Sequence, residues 1–199
     1  STGMTSAAIV AGNTVVYKPS SDSPITGAMM YEIFESIGLP AGVLNYLPGP
    51  GDRIGEYLVT HPDVSFIAFT GSTEVGLKIA QFSSCTSETA LGIKRVIAEM
   101  GGKNAIIIDS DADLDEALIH ILRSSFGYQG QKCSACSRLI VLEPIYDKLI
   151  KRLKEAAQSI ILGNAELPET FMGAVINSNA VEKIGKYIGV IGNTYCRSG

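Results

Sequence analysis

Two periods of apolar residues alternate along this chain. Residues 14–17 (TVVY) form a short buried-strand pattern, closed by Lys18-Pro19. Ser23 and Pro24 then mark a helix start, with Ser as the predicted cap and Pro at the first helical position, where its missing N–H costs nothing. Met29, Met30, Ile33, Phe34 and Ile37 recur at helical spacing until Gly38. Residues 43–47 predict a second strand, and the PGPG cluster turns the chain into a helix over about residues 53–60. A third strand is predicted at 65–69 and a helix at 74–82, followed by two apolar strands at 95–98 and 105–108. Asp111 and Asp113 are the predicted caps of a helix that runs to about Gly127. A strand at 138–142 and a helix at 145–161 complete the pattern. Strands alternating with helices predict an α/β fold on a parallel sheet covered on both faces. Such sheets take ligands at the carboxyl ends of their strands.

Composition narrows this picture. The chain has 199 residues, of which 46% are hydrophobic and 18% charged, enough to bury a core. Its net charge of -4, with no basic cluster, argues against a nucleic-acid partner. No apolar run approaches the roughly 18 residues of a membrane span. The opening STGMTSAAIVAG lacks the basic and apolar regions of a signal peptide and reads as mid-helix. The ending GNTYCRSG does not read as a domain end, so a piece of a longer chain is expected. Cys85, Cys133, Cys136 and Cys196 do not make a disulfide scaffold. A reducing compartment follows: the cytoplasm, or the mitochondrial matrix in a eukaryote.

Two stretches and one lysine are candidates for phosphate binding. PGPGDRIG (residues 48–55) follows a strand and opens a helix like a dinucleotide fingerprint, but with one residue too many before its last glycine, and a plain strand-to-helix turn accounts for it equally well. In FTGSTEVG (69–76), Thr70, Gly71 and Ser72 lie between a strand end and a helix start. Gly71 presents no side chain to a ligand, Ser72 offers a hydroxyl, and the first-turn N–H groups point outward. An ordinary Ser/Thr cap has the same pattern. Lys18, at a strand end, suits a ribose or phosphate; a solvated lysine fits there too.

In FGYQGQKCSACSRLIV (126–141), Cys133 and Cys136 lie three apart on a break between regular segments. Zinc needs about four ligands. The other candidates are the scattered Cys85, Cys196, His61 and His120, so a metal would require long-range assembly. A redox pair should open a helix after a strand, whereas here a helix precedes and a strand follows. The remaining reading is one nucleophile. Thiolate attack on a carbonyl needs a reachable sulfur, a nearby base and donors for the oxyanion. The Gly130-Gln131 bend lets the Cys133 N–H face inward, and Glu99, ahead of Gly101-Gly102 in AEMGGKNA, is the candidate base. A strand-end glutamate in a Gly-Gly turn is the plainer account of the same residues.

Taken in order, GNTVVYKPS (12–20), GLPAGVLNYLPG (38–49), FTGSTEVG, EMGGKN (99–104) and FGYQGQKCSACSR resemble the signatures of the aldehyde dehydrogenase superfamily over nearly the whole chain. The wording GQKCSACSR is most similar to the branch that oxidises glutamate semialdehyde, the 1-pyrroline-5-carboxylate dehydrogenases. The resemblance implies a doubly wound, Rossmann-like cofactor domain over 1–102 and part of an α/β catalytic domain over 103–199. It implies NAD as cofactor, a small aldehyde as substrate, and a homo-oligomer for the full-length protein. It places the nucleophile at Cys133, with Cys136 a bystander, and the general base at Glu99. Lys18 would bond the adenosine ribose and Ser72 the pyrophosphate; Thr70 and Gly71 would lie near the nicotinamide, and Gly102 in the turn that admits it. An aldehyde dehydrogenase of other specificity is the neighbouring reading, and a CxxC redox or metal module the one from another class. Many NAD-using members carry a glutamate where this chain has Ser21, followed by Asp22. A serine would not repel a 2′-phosphate, so NADP stays open. The family's oxyanion asparagine and second ribose ligand would fall outside these residues, so the isolated 199 residues are expected to turn over little or no aldehyde.

Overall fold

The computed structural model describes residues 2–84 and 92–191. Cys85 and Cys196 lie outside the described residues. The chain divides into two compact units, Ser1–Met100 and Gly101–Gly199.

The first unit contains α1 (Thr2–Val10), β1 (Val15–Tyr17), α2 (Pro24–Ser36) and β2 (Leu44–Tyr46). A π-turn (Gly51–Gly55) then leads into α3 (Glu56–Thr60), and β3 (Phe66–Thr70), α4 (Thr73–Ser83) and β4 (Arg95–Glu99) follow. The second unit contains β5 (Asn104–Ile108), α5 (Leu114–Phe126), a 3₁₀ turn (Gly127–Gly130), β6 (Cys136–Val141), α6 (Glu143–Gln158) and α7 (Ser178–Ile191). Three strand–helix–strand units result: β1–α2–β2, β3–α4–β4 and β5–α5–β6. Every pair is parallel, as a helical crossover requires. The expected α/β class with parallel strands is present, its strands arranged as three two-stranded ladders.

Local chemistry explains the element ends. Asp113 caps α5, its carboxylate accepting from the N–H groups of Asp115 (2.8 Å) and Glu116 (3.4 Å); Asp111, the other predicted cap, does not. Pro24 opens α2 as expected, but the Ser23 side chain makes no cap bond. Ser23 O accepts the first helical bond from Gly27 N–H, and Ser23 N–H donates to Ser20 O in the turn before the helix. Gly38, at φ 82°, adopts the left-handed conformation that ends the α2 segment cheaply. The helix α7 was not anticipated from the sequence.

The core of the second unit lies between α5, α6 and one face of the β5–β6 ladder. Leu114, Leu118 and Ile121 form the buried stripe of α5, packed with Ile108 and the fully buried Leu149. The opposite faces are open: Phe66 is 47% exposed, Ile97 50% and Ile107 71%. Apolar runs read as covered on both faces are thus covered on one by the described residues. No described helix is long and apolar enough to cross a membrane.

Candidate active site

Two clusters form in the first unit, both at the carboxyl ends of its parallel strands. Lys18 follows β1 and is half-buried. Its ammonium donates to Pro19 O (2.7 Å) and Gly49 O (3.2 Å), and burial pushes its pKa below the ordinary lysine value. Ser21 Oγ donates to the same Gly49 carbonyl at 3.3 Å. Lys18 and Ser21 therefore converge on the loop after β2, where the PGPG cluster becomes the π-turn. Lys18 spends two of its three N–H donors inside the fold and keeps one.

The second cluster joins β3, β4 and the start of α4. Thr70 and Glu99 are register partners, and Gly71 N–H extends the ladder by donating to Glu99 O at 3.1 Å. The Glu99 backbone is fixed while its side chain is exposed. Ser72 is the N-cap of α4: its Oγ accepts from Val75 N–H at 3.3 Å, leaving the hydroxyl proton free to donate. A Cβ on Gly71 would stand 2.5 Å from the tip of the Phe69 ring, so any side chain there would displace that ring.

In the second unit the chain enters the cysteine loop through a strained bend. Tyr128 (φ 53°) and Gln129 (φ 58°) are both left-handed, as is Gly130 (φ 65°). Such geometry costs a non-glycine residue about 1–2 kcal/mol. It is held by Gln131 N–H donating to Tyr128 O (2.9 Å). The Gln129 amide, oriented to satisfy both partners, donates to Tyr128 O and accepts from Gly173 N–H (3.2 Å). Cys133 is exposed on the loop. Cys136 is buried at the start of β6, with its thiol donating to Arg138 O at 3.3 Å. A helix precedes the pair and a strand follows it, and among the described residues no cluster of His, Cys, Asp or Glu could hold a metal.

Gly102 packs against this loop: a Cβ there would meet Cys133 O at 2.8 Å. The close approach it allows is therefore made by the protein's own backbone. It belongs to the second unit. Asn104 and Lys132 were not singled out in the sequence. The Asn104 amide donates to Cys133 O, and Lys132 sits beside the cysteine with its ammonium 5.6 Å from the Tyr128 ring centre. Lys132, Ser134, Tyr128 and Arg123 line a cleft of about 490 Å³, and no acidic side chain among the described residues joins them. The signal for Lys132 was available: a cation directly before a candidate nucleophile.

The structure thus gathers Lys18 with Ser21, Thr70, Gly71 and Ser72 with Glu99, and Gly102 with Cys133. Glu99 belongs to the first unit and Cys133 to the second.

Residues 1–194 match the model of the aldehyde dehydrogenase family. Over 186 residues the chain is 49% identical to a 1-pyrroline-5-carboxylate dehydrogenase of Anoxybacillus flavithermus and 48% identical to one of Geobacillus kaustophilus, covering 94% of this chain and 36% of each relative. It therefore spans about a third of the length of these relatives. Among solved structures, proline utilization A of Bdellovibrio bacteriovorus superposes with a TM-score of 0.91 at 46% identity, over 96% of this chain and 20% of that one. A 1-pyrroline-5-carboxylate dehydrogenase from Thermus with bound NAD superposes with a TM-score of 0.87 at 42% identity, over 92% of this chain and 35% of that one.

Proposed function

Because the chain belongs to the aldehyde dehydrogenase family, we propose that it carries the nucleophile, the base and much of the cofactor cradle of an NAD(P)-dependent enzyme that oxidises glutamate γ-semialdehyde to glutamate in proline breakdown. The relatives named 1-pyrroline-5-carboxylate dehydrogenase support the substrate. The observation that carries the chemistry is the contrast between two thiols three residues apart: Cys133 exposed on a loop, Cys136 buried and engaged with Arg138 O. On this reading the first unit is the cofactor-binding part and the second the front of the catalytic domain.

The residues of the first unit fit a dinucleotide. Lys18 retains a donor for a ribose hydroxyl, and Ser72 retains its proton for a phosphate oxygen at the amino end of α4, where partial positive charge favours anions. When bound, the nicotinamide supplies the hydride acceptor. The protein's own groups do the rest. The Cys133 thiolate bonds to the aldehyde carbon, the carbonyl electron pair moves to oxygen, and the Cys133 N–H donates to that oxyanion. The oxyanion electron pair re-forms the carbonyl as the C–H bond breaks and its hydride leaves to that acceptor, so the acyl group stays on Cys133 as a thioester. Glu99 takes a proton from water, the water oxygen bonds to the acyl carbon, and the C–S bond breaks to return the thiolate.

The cleft lined by Arg123, Lys132 and Ser134, the last two flanking Cys133 in the chain, supports a substrate bearing a carboxylate. A panel of aldehydes tested on the intact protein that carries this chain checks it. Glutamate γ-semialdehyde is expected to exceed an uncharged aldehyde of similar length by about tenfold or more in kcat/KM, as one charge-assisted bond allows. Equal rates would remove the carboxylate from the reading.

Ser21 supports use of both dinucleotides. Ser21→Glu places a carboxylate where a 2′-phosphate would lie, and is expected to lower kcat/KM with NADP at least about tenfold while NAD is little affected. An unchanged ratio of the two cofactors would take Ser21 away from the ribose.

A further inference from the structure

Asn104 opens β5 and is exposed to solvent, yet both N–H donors of its side-chain amide are engaged. Nδ2 donates to Cys133 O at 2.7 Å and to Ala135 O at 3.3 Å. The β5–β6 ladder is irregular at this point: Asn104 pairs with Cys136 and Ala105 with Arg138, leaving Ser137 as the extra residue of a bulge. Bulges re-aim the side chains beside them and collect near active sites. Ser137 Oγ reaches back to Asn104 O at 3.5 Å, and the Arg138 guanidinium donates to Lys103 O, so the bulged strand holds the start of β5 from its far side. Gly102 closes the arrangement, its missing Cβ leaving room for the Cys133 carbonyl.

We propose that Asn104 is the positioning residue of the nucleophile. Its amide, aimed by the bulge, clamps the carbonyls of Cys133 and Ala135. Holding the Cys133 carbonyl fixes ψ at that residue, one of the two torsions that aim its Cα–Cβ bond. The turn that passes through Cys133, with Ala135 N–H donating to Lys132 O at 3.0 Å, is too short to fix its own orientation in the unit. The Asn104 bond supplies that link, and the inference rests on Cys133 being the nucleophile.

The test uses the intact protein with Asn104→Ala and Asn104→Asp, and reads kcat, KM, melting temperature and the first-turnover burst of reduced cofactor. Asn104→Ala is expected to lower kcat and the burst rate together by about 10- to 100-fold, the scale of a misplaced reacting group. The aldehyde KM should stay within about threefold and the melting temperature near the parent's, since an exposed hydrogen bond adds little to stability. Asn104→Asp keeps the volume but presents acceptors to the two carbonyls. It should be equally slow at neutral pH and close part of its gap to the parent toward about pH 5, as the carboxyl regains a proton to donate. A purely structural asparagine would move melting temperature and leave kcat in place. Folded Asn104→Ala with kcat within about threefold of the parent overturns the inference; if that variant does not fold, the same result from Asn104→Asp does so. Full activity in Cys133→Ala would instead remove the nucleophile itself, so the two failures read differently.

Discussion

Cys133→Ala in the intact protein is expected to abolish aldehyde oxidation, with kcat falling by more than about 10³-fold, the scale seen when the attacking atom of a covalent mechanism is removed. Cofactor binding should largely survive, because the proposed contacts at Lys18, Ser21, Thr70, Gly71 and Ser72 lie in the other unit. The companion variant Cys136→Ala makes the comparison decisive. Cys136 is 8% exposed at the head of β6, and its thiol is spent on Arg138 O. Removing it opens a small void, so stability should fall modestly while most of the turnover remains. A redox pair or a shared metal would make the two variants fail alike. A protein that keeps its activity without Cys133, or loses it equally without Cys136, has a different chemistry from the one proposed.

The sequence disclosed the strand–helix alternation because its signals are local. Lys18-Pro19 closes β1, Pro24 starts α2 and Gly38 ends it. The apolar stripe of α5 recurs at helical spacing and becomes the core against Leu149. The Ser72 turn was legible for the same reason, since a small-residue break between a strand and a helix is written in consecutive positions. Pairing across the sequence was not. That Lys18 and Ser21 meet at Gly49 depends on β1 lying beside β2, about 30 residues on. The π-turn at Gly51–Gly55 replaced an ordinary helix start, since local composition does not distinguish the two ring sizes. The bulge at Ser137 has no local signal, because it is a mismatch between two strands and neither strand contains it alone. Asn104 stood in plain view within EMGGKN, but its partners are 29 and 31 residues away. The open faces of Phe66, Ile97 and Ile107 follow the same logic: an apolar run states a preference for burial and does not say which neighbour provides it.

Glu99→Gln should divide the reaction where Cys133→Ala stops it. Glu99 is the last residue of β4, its carbonyl held by Gly71 N–H at 3.1 Å and its carboxylate exposed. Backbone rigidity with an open side chain is what a group that activates water requires. Glutamine keeps the volume and the ladder and removes only the basicity. Attack by Cys133 and oxidation to the thioester precede the proposed use of the base, so the first turnover should still release one reduced cofactor per site. Hydrolysis should then slow by about 10²- to 10⁴-fold, the usual contribution of a general base. Steady-state kcat falls by that factor once deacylation limits it, and the acyl group accumulates on Cys133, where mass spectrometry of the quenched protein finds it. Loss of the burst as well would place Glu99 ahead of the thioester, in cofactor or aldehyde binding. An unchanged kcat would return it to the plainer role of a strand-end glutamate in a Gly-Gly turn.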